Sequence, residues 1–284
     1  MRGKNRKLSS GKMLWSRLNK HLGAIVQQSR SARDDRRLLS ASAFSPAIAH
    51  WELSQNPGAD GKNDLKPAVW VYDTALLFVD ISGFTNLCTR LPIDALQKHI
   101  NSYFTALIDK IVSMGGDILR FAGDAILCSW SLRTADANQG SASQAQNAGQ
   151  DQNTALAHAA QAACRCAIEL QLQCGTYEIP EINAVLSIHS GVGVGTVNAF
   201  RVGTPKRWEF LIAGQVLDQI AAAEGCAERG EAVCSPQVWS MVSGTCVGTP
   251  KGDKADPPSG PPCMLLEVVI LTAPHPTPPY PTHH

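Results

Sequence analysis

Two aspartates interrupt otherwise apolar runs in the first half of the chain. Asp80 lies within Ala75-Leu-Leu-Phe-Val-Asp-Ile-Ser-Gly-Phe-Thr85, and Asp124 follows Gly123 in Gly116-Asp-Ile-Leu-Arg-Phe-Ala-Gly-Asp-Ala-Ile-Leu-Cys-Ser-Trp130. A carboxylate at the end of an apolar segment is displayed at the rim of a buried element. Two such groups on one rim repel unless a cation sits between them, and their hard oxygens suit Mg²⁺ or Mn²⁺. Each also has an ordinary alternative, since Asp after a strand is a common turn or cap residue and Gly-Asp a common hairpin dipeptide.

The elements that must position these carboxylates are legible around them. Ala75–Ile81, apolar but for Asp80 near its end and closed by Ser82-Gly83, reads as a buried strand entering a loop. Leu96, Ile100, Tyr103, Phe104, Leu107, Ile108, Ile111 and Val112 recur at helical spacing, with Asp94 as the expected N-cap. Two strand-like runs hinged on Gly123-Asp124 read as a hairpin. A strand, a helix and a hairpin packed together would carry Asp80 to a strand end and Asp124 to a hairpin tip at one sheet edge.

Further along, Thr134–Asn153 is dominated by Ala, Gln, Asn, Ser and Gly and is expected to be an unstructured low-complexity insertion. Ala155–Gln173 reads as an Ala-rich helix with Leu156, Ala159, Ala163, Ala167, Leu170 and Cys174 on one face. Ala184–Val197 reads as a strand that turns at Gly191-x-Gly193-x-Gly195 and returns as another strand. These glycines do not open a helix, so they are not a dinucleotide fingerprint; they permit tight turning or close backbone approach. His189 reads as a satisfied strand histidine rather than a catalyst. Trp208–Gly214 is expected to be a strand, and Gln215–Glu228 a helix with Val216, Leu217, Ile220 and Ala223 inward. Ala232–Ser235 reads as a short strand, Pro236–Val242 as a helical turn, and Met264–Leu271 as a closing strand after a polar Gly/Pro/Lys loop. Strand–helix–hairpin–helix–hairpin–helix–strand describes one α+β domain, a mostly antiparallel sheet with helices on one face.

Composition bounds the rest. The chain has 284 residues and a net charge of +1, but residues 1–40 hold eleven Lys or Arg against two Asp, leaving the remainder mildly acidic. Residues 1–67 are therefore expected to be a basic leader, either an ordinary extension, an organelle-targeting segment or a membrane-surface helix. Residues 68–272 would be the folded domain and 273–284 a Pro-rich tail. Nine cysteines without CxxC spacing imply free thiols in a reducing, cytoplasmic setting, with organelle import as the alternative. No apolar run is long enough to span a bilayer. The basic residues are not interleaved with aromatics beyond Trp15, which argues against nucleic-acid binding.

Phe78-Val-Asp80-Ile-Ser-Gly-Phe-Thr85 followed by Phe121-Ala-Gly-Asp124-Ala resembles the signature of class III nucleotide cyclases, most like the first catalytic half of the soluble adenylyl cyclases. The resemblance extends from about Asp73 to Thr272. It implies a ferredoxin-like βαββαβ core with an added strand pair. It also implies two Mg²⁺ or Mn²⁺ ions bridged by Asp80 and Asp124, with the Ile81 carbonyl completing one coordination shell. Ser82, Gly83, Phe84 and Thr85 would hold the phosphates of ATP, with GTP as the alternative substrate.

The same resemblance exposes departures. In the pattern Gly-x-x-Val-Asn-x-Ala-x-Arg, which the partner half uses to orient ribose and stabilise the α-phosphate, this chain has Asp218 for Asn and Ala222 for Arg; Arg229 lies two helical turns further on. The chain therefore resembles a metal-bearing half that needs a complementary half, or else a non-catalytic dimerisation or regulatory module. Arg120 corresponds to a position lining a bicarbonate-receiving site, where a guanidinium can grip a planar anion. The basic residue that would assist it corresponds to Ala221, so the alternative is a strand arginine in a surface ion pair.

Overall fold

The computed structural model describes residues 67–131, 148–204, 207–251 and 261–269. The leader up to residue 66, the insertion up to residue 147 and the tail at 273–284 lie outside the described residues.

The elements run β1 (Ala68–Ser82), α1 (Phe84–Arg90), α2 (Ile93–Ser113), β2 (Asp117–Ala122), β3 (Ala125–Ser131), α3 (Ala148–Cys174) and β4 (Thr176–Ile179). After a 3₁₀ turn at Pro180–Ile182 come β5 (Ala184–Thr204), β6 (Arg207–Ala213), α4 (Gln215–Cys226), β7 (Ala232–Cys234), α5 (Pro236–Val242), β8 (Cys246–Lys251) and β9 (Cys263–Val269). They form one sheet in the order β2-β3-β1-β5-β7-β9-β8, with β4 and β6 also paired to β5. The β5–β7 pairing is parallel and the rest are antiparallel. Within it, β1, α2, β2, β3, α3 and β5 make the expected ferredoxin-like core, with strand order β5-β1-β3-β2.

The apolar run in β1 is continuous because helices cover both of its faces. Ala75, Leu77, Val79 and Ile81 point into a large core shared with Leu96, Leu107 and Ile111 of α2 and with Ala160, Ala163, Ala167 and Leu170 of α3. Leu76 faces the other way, into a smaller cluster with Leu119, Val197 and the α4 residues Val216 and Ile220. The larger helices thus share one face, and among the described helices α4 packs on the opposite one, which corrects the expectation that the helices would occupy one face. Each fully buried Leu or Ile here contributes on the order of 1.5–3 kcal/mol of transfer free energy. All nine cysteines are free, and all but Cys88 are buried, including the helical pair Cys164 and Cys166.

Several expectations need correction. α3 begins at Ala148, so residues 148–153 are helical; Gln152 is fastened there by donating to Asp73 of β1 at 2.7 Å. Asp94 does not cap α2. Pro92 occupies the cap position, and Asp94 sits in the first turn, where its charge still favours the helix dipole. Val112 is exposed rather than inward. Gly191, Gly193 and Gly195 do not form a turn, because β5 runs unbroken from Ala184 to Thr204. The Gly/Pro/Lys stretch after Val242 contains the strand β8, the edge of the sheet among the described residues, which tolerates Pro250 because it pairs there on one side only, with β9.

Candidate functional site

The β1–β3 ladder ends at the pair Val79–Ile126, so Asp80 and the hairpin tip follow immediately beyond the last paired residues. At that tip Gly123 takes φ 73°, the positive value that a two-residue hairpin turn of the II′ kind needs at its first central position, and Asp124 comes next. The sequence has therefore carried both carboxylates to one edge by two independent local devices, a strand end and a glycine turn.

Their electrostatics register the proximity. Burial raises the Asp80 carboxyl above the ordinary carboxylate range, and the Asp124 charge raises it further; His189 and the Ile81 backbone N–H pull it partly back, while Glu224 pushes it up. Burial and the same Asp124 charge also raise the Cys88 thiol on α1.

Beyond Ser82 the chain turns sharply. Gly83 caps α1 at φ 96°, and a Cβ there would stand 3.1 Å from the Val185 carbonyl oxygen, so no other residue fits without strain. Phe84 and Thr85 open α1, whose first-turn N–H groups have no intrahelical acceptor. Phe84 packs edge-on to Phe104 of α2, with ring centroids 6.4 Å apart, which fixes the direction in which the helix leaves.

The structure adds two groups that sequence reasoning did not assign to the site. His189 of β5 lies directly opposite Asp80 in the register. Its Nε2 is 2.8 Å from Glu224 Oε1 and 3.7 Å from Asp80 Oδ2, and its Nδ1 is 3.3 Å from Ser82 Oγ. His189 is a satisfied strand histidine, as expected, but its partners are the carboxylate cluster itself. Glu224 arrives from α4, which Gly191 and Gly193 let settle onto β5. A Cβ at Gly191 would be 2.5 Å from the Ile220 carbonyl oxygen. Gln219 then clasps the strand, its Oε1 accepting from Val194 N–H at 3.1 Å and its Nε2 donating to Val194 C=O at 3.0 Å. Closely spaced glycines opposite a helix were the signal that could have found this contact.

The remaining sequence candidates lie elsewhere. Arg120 is exposed on β2 and its Nη2 donates to the Phe210 carbonyl at 3.0 Å, a backbone contact rather than an ion pair. Asp218 and Ala222 are exposed on the outer face of α4. Arg229 lines an open cleft together with Ser82, His189, Ala227 and Glu228.

With this geometry in hand, likenesses to known proteins can be placed on it. Residues 71–253 match the family described as the adenylate and guanylate cyclase catalytic domain. Adenylate cyclase type 10 of Rattus norvegicus is 27% identical over 186 residues, covering 62% of this chain but 10% of the rat protein, and the Homo sapiens protein of that name is 26% identical over 186 residues. The chain thus spans about a tenth of the length of these curated relatives. Among solved structures, the dimeric guanylyl cyclase domain of the RhoGC fusion protein of Blastocladiella emersonii superposes with a TM-score of 0.54 at 15% identity, covering 72% of this chain and 100% of that one. The adenylyl cyclase CyaB of P. aeruginosa gives 0.51 at 20% identity, covering 72% and 97%. At such identities the structural likeness speaks for the fold, and the family match covers the whole stretch from near the start of β1 to just past β8. The chain belongs to the adenylate and guanylate cyclase catalytic domain family.

Proposed function

We propose that this chain is the metal-bearing half of an adenylyl cyclase, forming cyclic AMP and pyrophosphate from ATP when paired with a complementary half. The observation that carries the reading is the crowding of Asp80 by the Asp124 charge at one sheet edge, beside the Gly83 turn. A carboxylate whose ionisation is made costlier by burial and by a second carboxylate beside it belongs to a donor set that fits a divalent cation.

Asp80, Asp124 and the Ile81 carbonyl would hold the ions. Bound there, two divalent cations supply Lewis acidity for the ribose 3′-hydroxyl and neutralise the triphosphate. In the net reaction the 3′-hydroxyl gives up its proton to solvent, its oxygen bonds to the α-phosphorus, the bond from that phosphorus to the α,β-bridging oxygen breaks, and pyrophosphate leaves with the bridging oxygen. The chain's own part is to orient the phosphates along Ser82–Thr85. Because α1 has only seven residues, that contribution rests on individual N–H groups rather than on a summed helix dipole. Asp218 and Ala222 present no neutral amide and no guanidinium from the outer face of α4, so ribose orientation and α-phosphate stabilisation would come from the partner.

Those same two residues favour a second reading, a non-catalytic nucleotide- or metal-binding module that acts through dimerisation. Incubating the chain and a complementary half with Mn²⁺-ATP and, separately, Mn²⁺-GTP, then separating products by chromatography, tests both readings. Cyclic AMP is expected. Cyclic GMP would reassign the substrate, and no product from a confirmed heterodimer would favour the second reading.

A further inference from the structure

We infer that His189, Glu224 and Asp80 form a binding site for an imidazole-preferring divalent cation of the Zn²⁺ class, distinct in its ligand set from the all-oxygen pair of Asp80 and Asp124. The three side chains offer one ligand atom each, all within 4.8 Å of one another. The two distances to His189 Nε2, 2.8 Å from Glu224 and 3.7 Å from Asp80, bracket the roughly 3.3 Å that separates neighbouring ligands bound at ~2.0–2.2 Å around a tetrahedral ion. Each ligand stands on a separate, packed element: Asp80 on β1, His189 on β5 and Glu224 on α4.

Two further features support a ligand rather than a plain hydrogen-bonded ion pair. Among the described residues no Lys or Arg comes within ion-pair distance of Asp80 or Glu224, so a single imidazole serves two carboxylates. Ser82 and His189 also line an open cleft, which gives an ion an entry path and leaves a fourth position for water. An imidazole with two carboxylates suits Zn²⁺ far better than Mg²⁺, which takes oxygen ligands in a strict octahedron. A Zn²⁺ ion that engages Asp80 competes with the Asp80–Asp124 pair for that carboxylate. Occupation by Zn²⁺ should therefore withdraw it from Asp124 and inhibit cyclisation; this consequence rests on the cyclase reading, whereas the binding itself does not.

The test is a calorimetric titration of Zn²⁺ into the metal-free full chain, with Co²⁺ absorption bands as a spectroscopic check on ligand geometry. A site is expected whose affinity falls at least about tenfold in both His189→Ala and Glu224→Gln, since losing even a group that only supports a ligand typically costs about 10–100-fold. Asp124→Asn should leave it in place. Glu224→Gln is isosteric and partly exposed, so it keeps the test decisive if His189→Ala does not fold. Zn²⁺ binding that is absent, or unchanged in both variants, would overturn the site. Retained Zn²⁺ binding in a chain that never supports cyclisation would leave the site standing and count against the cyclase reading alone.

Discussion

At the scale of single residues, the site is defined by an unfavourable interaction that the fold retains. Asp80 holds its proton more tightly folded than unfolded, chiefly through burial and then through Asp124. Folding of the metal-free protein therefore takes up a proton between the ordinary carboxylate value and the raised folded value, and stability falls as pH rises through that window. Asp80→Asn removes a charge that the apo fold disfavours. Its melting temperature in chelator at neutral pH should exceed that of the wild type, and the gap should close as pH is lowered through the window. A variant that melts no higher at any pH would mean that pairing with His189 outweighs burial and Asp124. The placing of Asp80 near a strand end and of Asp124 at a hairpin tip was legible in the sequence because each setting is local, an apolar run before one and a glycine turn before the other. His189 and Glu224 were not read as site residues. They are 35 residues apart and meet only because α4 is laid across β5.

At the scale of elements, that crossing of α4 over β5 is the joint on which the site turns. Gly191 and Gly193 remove the side chains that would hold the helix away, and Gln219 binds the Val194 backbone on both sides. Gly191→Ala would drive a methyl into the Ile220 carbonyl and the Glu224 N–H, both backbone groups that cannot rotate aside. Overpacking of this kind costs about 1–3 kcal/mol, and rigid backbone neighbours place the expected loss toward the upper end. Thermal unfolding would show it. An unchanged melting temperature would mean that α4 has room to shift. The sequence marked these glycines as permitting close approach or a turn, and close approach is what they do. It hid β8 because Gly248 and Pro250 look like loop residues, and only the strand β9 beside them makes a ladder possible. The start of α3 was hidden for a different reason. Its first residues are polar and low in complexity, and the tie that fastens them, Gln152 to Asp73, is long-range.

At the scale of the molecule, the family, the α+β class and the βαββαβ core followed from the order of elements and from one compact string, while the proposal of a complementary half rests on two residue types, Asp218 and Ala222, on an exposed helix face. Asp218 and Ala222 stand on that outer face of α4, available to a second subunit and chemically unfit to act as an amide donor and a guanidinium. No helix among the described residues is long and apolar enough to cross a membrane. The most direct measurement is cyclic AMP formed from Mn²⁺-ATP by the purified chain alone and mixed with a complementary half that supplies an asparagine and an arginine. The mixture is then repeated with Asp80→Asn or Asp124→Asn. The chain alone should stay near background, since losing one transition-state donor typically costs about 10²–10³ in rate and two are missing here. The mixture should be active and either substitution should abolish the gain. Strong activity from the chain alone, or a mixture that is equally active without Asp80 and Asp124, would contradict a metal-bearing half-site.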